Sequence, residues 1–250
     1  MKLEYILNEF EKFAPLDTKE EWDNVGLMVG DKNKEIKKAF VCLDVTADNI
    51  KFAKDNDCDL ILTHHPFIME GIKNLDYENE KSKMIVDLIK NDISVCSLHT
   101  NFDSAIGGIN DILCEKLGLE NYEVGIPHIF RKGEFKKEIT FFELVKKVKE
   151  ILNVENVICS GDIEKKIKTV GVCSGGGGSL VKNVYPCDAF LTGEAKYHEF
   201  QNALSMGINI IAAGHFETEN IALFKLRDIL VSLGVTVIIK DNEKGFSQIL

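Results

Sequence analysis

The feature that constrains the fold most is a regular alternation of short apolar runs with helical patterns, which begins at Ala39. The runs are continuously apolar and rich in β-branched residues, which is typical of strands buried on both faces of a sheet. They cover residues 39–45, 60–63, 94–98, 169–173, 189–192, 209–213 and 235–239. Helical patterns cover residues 48–56, 81–91, 109–117, 141–152, 196–206 and 217–233. This order predicts an α/β fold with parallel strands joined by right-handed crossovers.

The alternation is interrupted in mid-chain. Residues 121–165 are more charged and less regular, and they contain Pro127 and Gly133. We therefore predict an N-terminal α/β half over residues 1–120, a joining segment over 121–165 and a C-terminal α/β half over 166–250. Each half is expected to be a three-layer α/β/α arrangement with a mainly parallel sheet. A length of 250 residues is sufficient for two such cores.

Charge and cysteine content restrict the class of protein. The formal net charge of −10 disfavours a protein that coats nucleic acid without sequence preference, because such a protein needs a broad basic surface. The seven cysteines are scattered singly, which is typical of reduced thiols rather than of a thiolate zinc site. No apolar run approaches the roughly 20 residues that span a bilayer, and no secretory signal pattern is seen. A cytoplasmic location without a membrane partner is expected.

Polar residues follow the predicted strands with unusual regularity. Ligands of wound parallel sheets bind beyond the carboxyl ends of the strands, so side chains at these ends are candidates for a site. The residues concerned are Asp44, His64, His65, His99, Asp103, Ser174, Glu194, His215 and Glu219. We expect the site to lie between the two halves, at the carboxyl ends of their strands.

The histidines suggest metal binding. His64 and His65 are adjacent in an extended segment, and Pro66 favours that geometry, so the two side chains point in different directions. Two such imidazoles suit two different metal ions. His215 and Glu219 are four residues apart at a predicted helix start and share a face, where the carboxylate could bridge two ions.

Asp103 would add a further oxygen ligand to this set. Nitrogen and oxygen ligands without sulfur suit iron, zinc or manganese, and two neighbouring ions typically activate water for hydrolysis. Each element has another interpretation. The His-His-Pro sequence could be a turn, His215 and Glu219 could form a helix ion pair, and Asp103 could cap a helix. Their joint placement favours a metal centre.

Three neighbouring features are more ambiguous. His99 could transfer protons or be an ordinary loop histidine, and Glu194 could orient water or be a surface carboxylate. We assign both as candidate catalytic residues. The glycine-rich stretch from Ser174 to Ser179 lacks the Gly-Lys-Ser/Thr ending of a P-loop. It could bind an anion through backbone N–H groups or allow close approach of two chain segments.

A basic segment supports a different hypothesis. Residues 131–149 contain seven basic residues within an otherwise acidic chain, namely Arg131, Lys132, Lys136, Lys137, Lys146, Lys147 and Lys149. The segment is either a solvated helix face or a local site for nucleic acid.

Several ordered motifs together resemble one family over nearly the whole chain. They are Trp22-Asp23-Asn24-Val25-Gly26-Leu27, His64-His65-Pro66-Phe67, His99-Thr100-Asn101-Phe102-Asp103, Ser174-Gly175-Gly176-Gly177, Gly193-Glu194, and Gly214-His215 with Glu219. The chain resembles the GTP cyclohydrolase 1 type 2 homologues, also called Nif-three-like proteins. It looks like the compact version without the ferredoxin-like domain inserted in longer relatives. The single His198 departs from the family pattern, since relatives often have two histidines there.

The resemblance implies a centre of two divalent metal ions. His64 and His215 would bind one ion, His65 and Asp103 the other, and Glu219 would bridge them. It also implies a toroidal homohexamer. The expected function is a metal-dependent hydrolase acting on a nucleotide or heterocycle, with GTP ring opening suggested by the family name. The alternatives are a DNA-binding or scaffold hexamer with structural metals, and a metal-storage or metal-chaperone role.

Overall fold

The computed structural model describes residues 1–240 and 245–246. Within these residues the chain folds into two compact units. Unit 1 consists of Met1–Ala105 and residues 222–240, and unit 2 consists of Ile106–Ile221 with residues 245–246. Each unit is an α/β structure with its own sheet. The α/β fold expected from the sequence is confirmed.

Helices and strands alternate along most of the chain. The α-helices are α1 Leu3–Phe13, α2 Ala47–Asp55, α3 Glu80–Lys90, α4 Thr100–Ser104, α5 Ile109–Leu117, α6 Phe141–Leu152, α7 Tyr197–Ser205, α8 His215–Asn220 and α9 Leu223–Ser232. The strands are β1 Gly26–Val29, β2 Lys38–Cys42, β3 Leu60–Thr63, β4 Ser94–Ser97, β5 Glu120–Val124, β6 Arg131–Thr140, β7 Ile158–Ser160, β8 Lys166–Cys173, β9 Ala189–Thr192, β10 Asn209–Ala212 and β11 Thr236–Ile239.

The sheet of unit 1 has the strand order β1-β4-β3-β2-β11. Neighbouring strands from β4 to β11 are parallel, and β1 pairs antiparallel with β4 at one edge. Thr63 pairs with Cys42 on one side and with Ser97 on the other, so β2, β3 and β4 end at the same level. Every residue of β3 and β4 is buried, which explains why these strands lack a polar alternation.

The sheet of unit 2 has the strand order β5-β6-β8-β9-β10-β7. Only its central strands β8, β9 and β10 are parallel, whereas β5, β6 and β7 pair antiparallel. The expectation of a mainly parallel sheet therefore fits unit 1, and the sheet of unit 2 is mixed. Thr192 pairs with Cys173 and with Ala212, so the three parallel strands also end at one level.

The division of the chain differs from the expected halves at 1–120, 121–165 and 166–250. Pairing of β11 with β2 brings residues 222–240 back to unit 1. The expected joining segment is an ordered part of unit 2, because β6 pairs with both β5 and β8. The ladders that cause both differences join residues far apart in sequence, which local patterns do not reveal.

Sequence signals for single helices agree with the structure better than the predicted division of the chain does. Helix α6 spans the predicted residues and begins with a capping box between Thr140 and Glu143. The pattern at residues 217–233 forms two helices, α8 and α9, rather than one. Within the described residues, no helix has the length and apolarity needed to cross a membrane. No disulfide joins the cysteines, and most of them are buried.

Candidate metal centre

Three histidines of unit 1 form a compact cluster. His64 and His65 follow β3, and His99 lies just beyond the neighbouring strand β4. Because these parallel strands end level, their following residues come together. The ring centroid of His64 lies 5.1 Å from the ring centroid of His65 and 5.1 Å from that of His99. The centroids of His65 and His99 are 5.7 Å apart. One ring nitrogen from each histidine lies within 4.8 Å of the other two, a spacing at which they could bind a metal ion.

Asp103 of helix α4 lies beside this cluster. Its Oδ1 atom is 3.9 Å from Nε2 of His64. Helix α4 begins directly after His99, which places the carboxylate one turn from the histidines. The His64 ring is fully buried and also contacts the ring of Phe102 at 6.1 Å. The structure thus brings together His64, His65 and Asp103, which are three of the five predicted metal ligands.

Each of the three histidine rings is oriented by a hydrogen bond from its Nδ1 atom to an oxygen atom. Nδ1 of His64 donates to the carbonyl oxygen of Leu98 at 2.8 Å. Nδ1 of His65 and Nδ1 of His99 donate to the carboxylates of Asp44 and Asp23, each at 2.9 Å. Carbonyl and carboxylate oxygens only accept hydrogen bonds, so each Nδ1 carries a proton, and in the neutral ring the lone pair is on Nε2. A lone pair at Nε2 and an oxygen acceptor at Nδ1 are typical of metal-binding histidines.

Asp23 is the most strongly fixed of these acceptors. Its side chain is only 5% exposed and also accepts hydrogen bonds from the backbone N–H of Thr100 at 3.0 Å and from its hydroxyl. Burial alone would raise the pKa of Asp23, but the hydrogen bonds from His99 and Thr100 outweigh it and lower the pKa to about 2. The carboxylate is therefore ionised at neutral pH and holds the His99 ring in place.

Unit 2 contributes a second cluster. His215 is the first residue of helix α8, directly after Gly214 and three residues beyond the end of β10. Its Nε2 atom lies 3.2 Å from Oε1 of Glu219 one turn later, as the four-residue spacing predicts. Its Nδ1 atom lies 3.3 Å from Oε2 of Glu194, which follows β9. His215 is thus oriented in the same way as the histidines of unit 1.

The electrostatic environment of His215 favours a cation. The hydrogen bond with Glu219 raises the pKa of His215, burial opposes this, and the charges of Glu219 and Glu194 add to it, so the pKa reaches about 9. A histidine pKa raised this far reports a negative local potential, which also attracts a metal ion. Glu219 is buried, whereas the Glu194 side chain is 64% exposed.

The glycine-rich loop after β8 packs against this second cluster. Gly175 has a φ of +57°, and its N–H donates to the hydroxyl of Thr218 at 3.1 Å. A Cβ atom at Gly175 would overlap the Glu219 carboxylate and come within 3.2 Å of Nε2 of His215. Of the two interpretations open from the sequence, the geometry favours close approach of chain segments at this glycine.

Sequence analysis assigned no specific role to the two aspartates that orient His65 and His99, and it left His128 and His198 outside the predicted metal site. Asp44 lies near the end of the predicted strand run 39–45, and Asp23 lies in the Trp22-Asp23 motif. Their contacts with His65 and His99 depend on long-range packing, which local patterns do not reveal. His128 and His198 are exposed. The residues present fit a divalent metal, since they supply imidazole nitrogens and carboxylate oxygens with outer acceptors already in place.

Comparison with known proteins agrees with these motifs. The sequence profile of the Duf34/NIF3 (NGG1p interacting factor 3) family matches residues 1–244. A protein of Clostridium perfringens described as a GTP cyclohydrolase 1 type 2 homolog is 38% identical over 240 residues, which cover 91% of this chain and 90% of that protein.

Two solved structures are similar over essentially the whole chain. Reduced HcgD from Methanocaldococcus jannaschii is 34% identical, with a TM-score of 0.86, over 96% of this chain and 98% of that one. A Bacillus cereus protein related to NIF3 has a TM-score of 0.89 over 100% of this chain and 99% of that one. Its sequence identity is 20%, so this likeness concerns the fold alone.

Proposed function

The chain belongs to the Duf34/NIF3 family, and on this premise we propose that it binds two divalent metal ions and hydrolyses a nucleotide or related heterocycle. His64 and His215 would bind one ion, and His65 and Asp103 the other. Glu219 would bridge them. When bound, such ions supply Lewis-acid activation of water.

The observation that carries the proposal is the common orientation of the histidines. His65, His99 and His215 each have a carboxylate at Nδ1, and His64 has a backbone carbonyl there. A histidine that only fills space needs one satisfied nitrogen, and its other nitrogen has no reason to face further imidazoles or carboxylates. Repetition of the arrangement in both units supports a shared role in binding cations.

The remaining polar groups would manage protons and geometry. In this proposal His99 is not a metal ligand, so its Nε2 would accept or donate a proton while Asp23 fixes the ring. Glu194 would keep His215 oriented through one oxygen, and its exposed second oxygen would orient water. Asp44 would have no contact with the substrate and would act only through His65.

The substrate class is proposed from relatives that are described as GTP cyclohydrolase 1 type 2 or its homolog. The test is incubation of metal-loaded protein with a nucleotide panel that includes GTP, followed by chromatography and mass spectrometry of the products. We expect turnover by the wild type and by His198→Ala, whose histidine is exposed, and none by Glu219→Gln. Absence of turnover across the panel by fully metal-loaded wild type would contradict a hydrolase.

The structure removes one residue from the basic segment that could bind nucleic acid. Arg131 is only 1% exposed and forms a buried ion pair with Asp111, so it cannot contact a phosphate. Lys136, Lys137 and Lys146 are exposed and keep the alternative open. Binding of duplex DNA would have to weaken with salt and with neutralisation of these lysines. DNA binding that stays equally tight at higher salt and after neutralisation of these lysines would exclude this alternative.

We also propose a cytoplasmic location. The described helices give no candidate membrane span, and seven cysteines without a disulfide, most of them buried, are typical of a reducing compartment.

A further inference from the structure

A large aromatic surface is exposed beside the histidine cluster of unit 1. Trp22 is the single tryptophan of the chain, and 61% of it is exposed. Its ring lies 5.8 Å from the His99 ring at an angle of 76°, in an edge-to-face contact. His99 in turn contacts His64 and His65. An indole that is mostly in solvent therefore lies one side chain away from two proposed metal ligands.

The loop that carries Trp22 is anchored on both sides of it. The N–H of Glu20 donates to the Thr100 hydroxyl at 2.9 Å, and Asp23 accepts from Thr100 and His99. The Asn24 amide donates to the carbonyl oxygen of Ile68 at 2.6 Å. These bonds fix the backbone, so the exposure of the indole is a property of the folded loop and not of a loose segment.

Exposure of this side chain calls for an explanation, because tryptophan is usually buried for most of its surface. An exposed aromatic ring next to a binding site gains free energy when a flat ring covers it, and stacking of a base on an aromatic side chain contributes roughly 1–3 kcal/mol. A phosphate offers no such face, and a sugar offers C–H groups rather than a π-face. The chemistry of the indole therefore favours a planar aromatic ring.

We propose that Trp22 is the stacking surface for a planar heteroaromatic ring of the ligand that reaches the candidate metal centre. This inference rests on the proposed function and deepens it, because it assigns recognition of the ring to one residue. The ring would lie against the indole, next to His99. Recognition of a ring would thus be separate from any interaction of phosphates with metal ions.

The first test uses the single tryptophan as its own reporter. Metal-loaded wild type is titrated with guanosine, GTP and inorganic triphosphate while indole emission is recorded. We expect saturable quenching by guanosine and GTP, because their base stacks on the indole, and no saturable change with triphosphate, which has no ring. Lack of quenching by both guanosine and GTP would overturn the proposal.

The second test uses variants and calorimetric titration with guanosine. Trp22→Leu is expected to weaken binding by about 5- to 150-fold, which is the stacking free energy expressed as an affinity ratio, and Trp22→Phe by no more than a few-fold. Tyr77→Leu is the matched control, because Tyr77 belongs to the same unit and is also 61% exposed. Unchanged affinity in Trp22→Leu, or an equal loss in Tyr77→Leu, would overturn the proposal.

Metal content and molecular mass of Trp22→Leu distinguish stacking from other roles of the indole. Metal content equal to that of the wild type supports the proposal, whereas loss of metal would show that the indole serves the metal centre through His99. Unchanged mass by light scattering also supports it, whereas a changed mass would show that the indole covers a second copy of the chain.

Failure of this inference is distinguishable from failure of the proposed function. Wild-type protein that binds no metal ions would refute the proposed function and this inference with it. Wild-type protein that binds the ions but shows no preference for ring-containing ligands would refute only the role of Trp22.

Discussion

The orientation of each histidine ring depends on a single neighbouring carboxylate or carbonyl group, and this orientation is set before a metal ion binds. Asp23, Asp44 and Glu194 each accept from one Nδ1 atom, but they differ in burial. Asp23 is buried, Asp44 is partly exposed, and Glu194 is mostly exposed. Because water competes with exposed hydrogen bonds, orientation by Asp23 is expected to be the firmest and that by Glu194 the weakest.

Asp44 offers a direct test of orientation. Asp44→Ala is expected to lower the affinity for the ion at His65 by about 10- to 100-fold, since loss of an outer carboxylate typically has an effect of this size. The ion should still bind at high metal concentration, because His65 is retained. Competition with a chromophoric chelator measures the affinity. Asp48→Ala, which removes an exposed aspartate at the start of α2, should have no effect. Equal affinities in all three proteins would show that Asp44 does not orient His65.

Asp23 predicts a dependence of stability on pH. The pKa of Asp23 is about 2 in the folded protein against an ordinary value of 3.8, so the ionised carboxylate stabilises the folded state. This contribution is fully present above pH 3.8 and is lost as the pH falls towards 2. It amounts to about 2 kcal/mol.

The measurement is urea unfolding of the wild type and Asp23→Asn between pH 2 and 7. The free energy of unfolding of the wild type should exceed that of the variant by about 2 kcal/mol more at pH 7 than near pH 2. Asp17→Asn, at an exposed aspartate of the preceding turn, is the control. A difference that stays constant across this range would contradict the stabilising role of the Asp23 charge.

Strands and helices differ in how far the sequence predicts them. The bounds of β3 and β9 agree with their apolar runs, because every residue of these strands is buried. Strand β6 was missed, although its first five residues alternate between buried and partly buried positions. Arg131 occupies the first buried position, where it pairs with Asp111, so the alternation is not one of apolar and polar residues. A buried ion pair conceals the strand from any pattern based on hydrophobicity.

In the glycine-rich loop, alanine substitutions at two adjacent glycines are expected to affect metal content differently. Gly175→Ala should lower the metal content, because its Cβ would displace the Glu219 carboxylate and its φ of +57° disfavours alanine. Gly176 has a φ of −80° and open space around its Cβ position, so Gly176→Ala should retain the wild-type metal content.

Metal analysis of both glycine variants, after thermal unfolding has shown that each is folded, measures this contrast. Equal metal content in Gly175→Ala and Gly176→Ala would mean that the loop does not position Glu219.

At the scale of the whole molecule, the sequence predicted the α/β class better than the path of the chain. His64 and Asp103 lie close together because they follow strands that end level, and His215 lies beside Glu219 because helical spacing is local. Their assignment as metal ligands stays a prediction. The return of β11 to unit 1 and the mixed sheet of unit 2 arise from pairings between distant segments. Local patterns carry no information on such partners.

The toroidal homohexamer implied by the resemblance stays a prediction. Exposed apolar side chains such as Ile72, Leu75 and Ile89 of unit 1 are the kind of surface that assembly buries. Light scattering of the metal-loaded protein should give the mass of six chains. The mass of a single chain at all concentrations would contradict the hexamer.

Whether the protein holds two metal ions at these residues is decided by elemental analysis of metal per chain in the wild type, His65→Ala and Glu219→Ala. His198→Ala serves as the matched control, because it removes an exposed histidine outside both clusters. We expect two equivalents of divalent metal in the wild type and in His198→Ala, and one or none in His65→Ala and Glu219→Ala. The same metal content in all four proteins would contradict this expectation.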